Sequence, residues 1–283
     1  MPPNSVLTYE NILGEIKAIC RSNYNDDDVR LVERVFQDSI NLFDGKTEGF
    51  LKCDTRYHNI IHTLQTIPPF IEIIDGWNKS KSDPFVSKEY YMLGIIAVIL
   101  HDTGYIKCDD DTEGTGAKYT FTHVQRSIDF AGAYLPGIGL DKDSIVSVQN
   151  AIRCTGVIFD NKVHFHSGEE RVIGYALGTA DLLGQMSASD YVDKLPALYL
   201  EFEEAYNFEG MESLYGRGST LFSDSGHLIV NTPVFFEKIV MERFKMMGSV
   251  YTYLAYHFNS SDNPYIKEIE KNLEKIKSIA ATQ

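Results

Sequence analysis

The sequence predicts an all-helical fold, and three observations carry that prediction. Capping residues recur just ahead of apolar segments with helical spacing, several apolar runs are long enough for buried helices, and hairpin signals are nearly absent. A chain of 283 residues can bury a large core, and no repeat, low-complexity stretch or clear linker divides it. We therefore read 1–283 as a single domain.

Taken in order, Tyr9 to Cys20 reads as a first helix, and the carboxylates of Asp26, Asp27 and Asp28 favour the start of a second. That second helix carries Val29, Leu31, Val32, Val35, Phe36, Ile40 and Phe43 on a broad apolar face and stops near Gly45. A polar loop leads to Arg56-Tyr57-His58. The helix bearing His62 is expected to break at Pro68-Pro69, where two backbone donors are missing, leaving Phe70 to Trp77 as a separate piece. Asn78 to Pro84 is a polar connection. Ser87 caps a buried helix ending at His101-Asp102, with Glu89 in its first turn. Gly104 to Tyr119 is a loop rich in Gly, Asp and Thr, of the kind that carries substrate contacts more often than packing.

Thr122 precedes a helix to Leu135, stopped by Pro136-Gly137-Ile138-Gly139, and Asp141 starts another that reaches Cys154. Val157 to His166 alternates weakly, as a short hairpin would. Ser167 with Glu170 is a capping-box pattern opening the helix that holds Asp181. Ser189 and Asp190 start the next helix, to about Tyr206. Phe208 to Val230 is the least regular stretch and reads as a lid or insertion. Thr232-Pro233 then opens a long helix to about His257, and Asn263-Pro264 precedes a last charged helix, Tyr265 to Ile279.

A net charge of −14 argues against long nucleic acid as the main partner, since that needs clustered Lys and Arg. It leaves room for a small phosphate ester, because bound divalent ions would dominate the local field. The four cysteines, Cys20, Cys53, Cys108 and Cys154, are widely spaced without a CxxC, which fits reduced thiols. Met1-Pro2-Pro3-Asn4-Ser5 has neither a basic nor an apolar run, and no apolar stretch approaches a membrane span. The expectation is a soluble cytoplasmic protein with no membrane partner.

The chemistry centres on Leu100-His101-Asp102-Thr103-Gly104-Tyr105. A His-Asp pair at a helix end puts an imidazole and a carboxylate where one metal ion can take both. Three other stretches supply matching donors. Tyr57-His58-Asn59-Ile60-Ile61-His62 places two histidines at i,i+4, which on a helix share a face. Asp181 is an acid within an apolar helical stretch, costly to bury unless it caps, pairs or ligates. His123 opens a helix. The mixed N/O set of His62, His101, Asp102 and Asp181 suits one or two divalent ions, Zn²⁺, Mn²⁺, Fe, Ni²⁺ or Mg²⁺, better than Ca²⁺.

In that order these residues form an H…HD…D pattern that resembles the HD-domain metal-dependent phosphohydrolases. The Tyr57-His58-Asn59-x-x-His62 opening is similar to class I cyclic-nucleotide phosphodiesterases. The resemblance covers a motif core of about 56–186, with a C-terminal helical extension, 187–283. It implies an all-α PDEase-like domain with a metal site between helices, hydrolysing a phosphoric ester, a cyclic nucleotide or other nucleotide first among them. It also implies roles: His62, His101, Asp102 and Asp181 as metal ligands, Asp102 bridging to a second ion, and His58 as general acid or, failing that, a residue behind the ligands. His123 is a candidate for the second ion. Lys107 and Lys118 are phosphate contacts or solvated lysines, and Gln185 either faces the pocket or packs.

Departures limit the match. No glutamine precedes Phe235-Phe236, where the phosphodiesterases read a purine, so either Phe packs a base or both belong to the core. Thr103-Gly104-Tyr105 lacks the histidine-proline-glycine of that family, and Tyr105 replaces the lysine of the HD-GYP enzymes. Two other readings compete. A di-iron oxygenase of the HD fold would need more histidines, which only His123, His164 and His166 could supply. A catalytically silent nucleotide-binding module would have no use for His58 beside the metal.

Overall fold

The computed structural model describes residues 7–156, 163–210 and 222–281. Among them the chain is all-helical and contains no strand, only an isolated bridge between Phe50 and Cys108. The helices are α1 (Tyr9–Tyr24), α2 (Arg30–Phe43), α3 (Ile60–Lys79), α4 (Lys88–Leu100), α5 (His123–Tyr134), α6 (Lys142–Ile152), α7 (Gly168–Ser187), α8 (Tyr191–Glu209), α9 (Ser225–Phe235), α10 (Met241–Met246), α11 (Leu254–His257) and α12 (Pro264–Ala280). None is long and apolar enough to cross a membrane.

Local chemistry sets the helix starts. Thr8, Ser87, Asp141, Ser167 and Asn263 each cap a helix with a side-chain oxygen that accepts a backbone N–H of the first turn. At Ser167 only half of a capping box forms. The Glu170 carboxylate accepts from the amide of His166 and from Asn150 Nδ2, so it ties the entry to α7 onto α6.

α4 lies at the centre of the bundle because its residues from Tyr91 to Leu100 are all buried, leaving no polar face to turn outward. It packs against α2, α3, α6 and α7, and α3 runs along α7. One apolar cluster extends from Ile12 in α1 to Ile276 in α12.

Three expectations need correction. α3 passes through Pro68 and Pro69 without a break. The carbonyl that Pro69 leaves without a helical donor is that of Gln65. α7 comes so close there that a Cβ on Gly184 would lie 2.4 Å from that oxygen. Tertiary packing thus carries the helix across the prolines. Second, Pro233 does not open a helix. α9 begins at Ser225, capped by Asp224, and Pro233 lies within it, followed by a π-helical turn, Phe236–Val240. Third, the long helix to His257 is broken: the chain turns at Met247–Ser249, with Ser249 at φ 52°, before a 3₁₀ turn, Val250–Tyr253, and α11. The hairpin expected over Val157 to His166 falls mostly on 157–162, outside the described residues; of the lid expected over Phe208 to Val230, 211–221 lies outside them, while its flanks are helical, α8 reaching Glu209 and α9 starting at Ser225.

Candidate metal centre

Four elements deliver the cluster. His62 stands in the first turn of α3, His101 caps the C-terminus of α4 with Asp102 next to it, Asp181 lies in mid-α7, and His123 opens α5. His62, His101, Asp102 and His123 are at most 5% exposed, and Asp181 is 9% exposed.

The His-Asp turn is welded to α5. Ser127 Oγ donates to the carbonyl of His101 and accepts from the amide of Gly104. Gly104 meets the backbone of His123 so closely that a Cβ would lie 2.0 Å from its carbonyl oxygen, which explains a glycine at that point.

Donor atoms converge from all sides. His62 Nε2 lies 3.4 Å from His101 Nε2, 3.3 Å from Asp102 Oδ2 and 3.0 Å from Asp181 Oδ1. His101 Nε2 lies 3.4 Å from Asp102 Oδ2 and 3.8 Å from Asp181 Oδ1. The other oxygen of Asp102, Oδ1, faces His123 Nε2 at 3.7 Å.

Hydrogen bonds at the far ends fix the tautomers. Nδ1–H of His101 donates to the carbonyl of Val98, and Nδ1–H of His123 to that of Thr120, each at 2.7 Å. A neutral ring bonded in this way turns an Nε2 lone pair inward. Asp102 Oδ2 and His62 Nδ1 have no hydrogen-bond partner.

Buried carboxylates facing imidazole lone pairs are costly without a cation. The residues therefore fit a metal ion, and His62, His101 and Asp102 form a group able to hold one. Ligands about 2.1 Å from one ion stand about 3.0–3.4 Å apart, close to most of the separations seen here. Burial opposes the charge on Asp102 and Asp181, but while no cation is present the surrounding imidazoles, in their protonated form, outweigh it and hold both below the usual carboxylate range. Burial drives His123 down to about 4, with the Asp102 charge offsetting only part, so its ring is neutral at neutral pH and open to a metal.

His58 is placed otherwise than expected. Asn59 caps α3, its Oδ1 accepting from the amide of Ile61, so His58 lies just outside the helix and shares no helical face with His62. Asparagine is a favoured N-cap, and its oxygen starts the helix one residue after His58. His58 is held instead by Glu201 of α8, a residue the sequence reading missed. Nδ1–H donates to Glu201 Oε2 at 2.6 Å, and Glu201 Oε1 accepts from the amide of Tyr57 at 2.5 Å. Burial alone would lower the His58 imidazole, but the Glu201 charge and hydrogen bond outweigh it and the ring is held above its usual value. The available signal was an acid inside the apolar run Leu198 to Phe202, the same signal that singled out Asp181.

Compared with protein-family models, curated proteins and solved structures, the chain gives no significant match.

Gln185 faces the cluster. Its Nε2 donates to the Asp181 carbonyl at 3.1 Å and lies 3.4 Å from Asp181 Oδ1, while its Oε1 accepts from the Tyr57 hydroxyl at 3.0 Å. The lysines are neither solvated nor free for phosphate. Lys107 Nζ pairs with Asp54 at 3.0 Å and donates to the carbonyl of Gly114, and Lys118 Nζ donates to Asp111 and to the carbonyl of Glu113. Both are nearly buried and hold the 104–119 loop together.

Phe236 belongs to the core and Phe235 packs against it, so neither stands open to a base. Near α7, the His164 carbonyl and the His166 amide bond Asn150 and Glu170. Neither imidazole belongs to the groups able to hold a metal ion among the described residues, so of the three histidines an oxygenase reading named, His123 stands beside Asp102 and the other two do not.

Proposed function

We propose that the protein is a divalent-metal-dependent hydrolase of small phosphoric esters, of the HD-domain kind, with nucleotides and cyclic nucleotides as the first substrates to try. The observation that carries this reading is the pairing of two features: a buried His62–His101–Asp102–Asp181 donor set, and a His58–Glu201 pair beside it. A module that only bound nucleotides would need no such proton donor.

His62, His101, Asp102 and Asp181 would hold a first ion of the Zn²⁺, Mn²⁺, Fe, Ni²⁺ or Mg²⁺ group, and Asp102 Oδ1 with His123 would offer donors to a second. Such ions, when bound, polarise a phosphoryl oxygen and bring a water's pKa toward neutrality.

The chain's own residues do the rest. Glu201 fixes the His58 ring through Nδ1–H and favours its protonated form, which keeps Nε2–H available to the departing alkoxide oxygen. Gln185 holds the Asp181 carboxylate in orientation from the Tyr57 side. The overall charge of −14 disfavours long polyanions and suits a compact substrate met by bound cations.

The test loads metal-free protein with each ion in turn and screens simple phosphodiesters, nucleotides and cyclic nucleotides. His58→Ala should keep its metal and lose about 10²–10⁴-fold in turnover, the usual scale for general acid catalysis. An ester with p-nitrophenolate as leaving group, which needs no proton, should recover much of that loss. His62→Ala should lose metal and activity together. If His58→Ala loses its metal, or suffers equally on both kinds of ester, the assignment of His58 fails.

A further inference from the structure

Tyr105 is 1% exposed and lies among the site residues. Its ring stacks on His58 with centroids 4.6 Å apart and planes 10° from parallel, and on His123 at 4.5 Å and 18°. The two imidazoles are 6.3 Å from each other, tilted by 28°.

Both imidazoles therefore lie against the same tyrosine ring, with their own centroids 6.3 Å apart.

The ring is rigidly placed. The Tyr105 amide donates to the carbonyl of Asp102 at 3.1 Å. A Cβ on Gly116 would lie 2.0 Å from the Tyr105 carbonyl oxygen, so the backbone is packed from the other side as well. Each imidazole, by contrast, is held at its far end by one hydrogen bond, from Nδ1–H to Glu201 or to the Thr120 carbonyl. One bond leaves a ring free to pivot about it, and a flat surface beneath removes that freedom.

We propose that Tyr105 is a positioning residue whose ring sets the spacing and tilt of His58 and His123 beside Asp102. Its effect on turnover rests on the hydrolase reading above; its effect on ring placement and metal uptake does not.

The experiment compares wild type, Tyr105→Phe, which keeps the ring, and Tyr105→Leu, which removes it. In wild-type protein the ring protons of both His58 and His123 should carry upfield ring-current shifts in NMR, assigned through His58→Gln and His123→Gln. Tyr105→Phe should keep these shifts and Tyr105→Leu should lose them. Zinc affinity of the metal-free protein should fall about 10–100-fold in Tyr105→Leu, as for lost support behind a ligand, and stay within about twofold in Tyr105→Phe. Tyr105→Leu should also slow esters with alkoxide leaving groups more than p-nitrophenyl esters.

Absence of the shifts on either histidine in wild type overturns the proposal without any variant, even if Tyr105→Leu does not fold. So does a folded Tyr105→Leu with wild-type zinc affinity and leaving-group dependence, or equal losses in both variants. Ring shifts and zinc response as expected, in a protein that hydrolyses no phosphoric ester, would support the placement by Tyr105 and refute the hydrolase reading alone.

Discussion

At its N-terminal end α3 gives His62 to the candidate metal cluster, and three turns further on it gives Glu72 and Asp75 to a second buried cluster with His257 and Tyr265. By residue type the two regions look alike, and Glu15, Glu72 and His257 also lie close enough to share an ion. Their hydrogen bonding differs.

At the second site protons are supplied. The Tyr265 hydroxyl donates to Glu72 at 2.7 Å, and Asp75 receives Asn23 Nδ2 at 3.0 Å, Lys79 Nζ at 2.6 Å and His257 Nδ1 at 2.5 Å. At the first, Asp102 Oδ2 accepts from nothing and faces two Nε2 atoms. A cluster of acids and imidazoles is thus a metal candidate when its donors have run out, and a structural network when they have not.

Removing one carboxylate from each cluster gives the sharpest break in this comparison. Asp102→Ala should abolish transition-metal uptake, because that residue meets His62, His101 and His123. Glu72→Gln should leave metal content at the wild-type level. Elemental analysis of both purified proteins decides, and metal retained by Asp102→Ala would end the assignment of the first cluster.

The second comparison is in pH. Burial pushes the Glu72 carboxyl up to about 8, against a hydrogen bond from Tyr265. A carboxyl neutral in the fold but with a normal pKa in the unfolded chain contributes stability that is complete below about pH 4 and lost as pH rises through about 8. The loss is about 1.4 kcal/mol per pKa unit of difference, so on the order of 5 kcal/mol across the range. Denaturant melts should therefore show Glu72→Gln overtaking wild type between pH 5 and pH 9. Parallel stability profiles for the two proteins would mean that Glu72 is ionised in the fold.

A smaller effect sharpens the first site further. Gln185→Leu removes the link from Tyr57 to Asp181 while leaving every ligand in place. Zinc affinity should weaken about tenfold, which is about 1.4 kcal/mol, the lower end of what partners behind ligands contribute. Calorimetric titration reads this directly, and an unchanged affinity would reduce Gln185 to packing.

Much of the first site was legible because its residues announce themselves locally. A His-Asp pair after a fully apolar helix and an acid inside an apolar stretch are anomalies within one or two turns of chain. The same holds for the caps at Ser87, Ser167 and Asn263, whose oxygens bond amides two or three residues away. Lys107 and Lys118 were not legible in this way. Lysines in a Gly- and Asp-rich loop read as solvated until the loop closes around their ammonium groups.

Sequence alone determined the all-helical class, most helix starts and the donor set His62, His101, Asp102 and Asp181, since hydrophobic period and capping act through near neighbours along the chain. Tertiary structure decided what depends on distant surfaces. Glu201 reaches His58 across 143 positions, and no local pattern records that pairing. α3 crosses Pro68 and Pro69 with Gly184 of α7 packed against the carbonyl that lost its donor. Tyr105 becomes a surface for two imidazoles only when α5 is packed against the His-Asp turn. In each case a backbone or side chain from elsewhere supplies the partner that local sequence lacks, and only packing brings the two together.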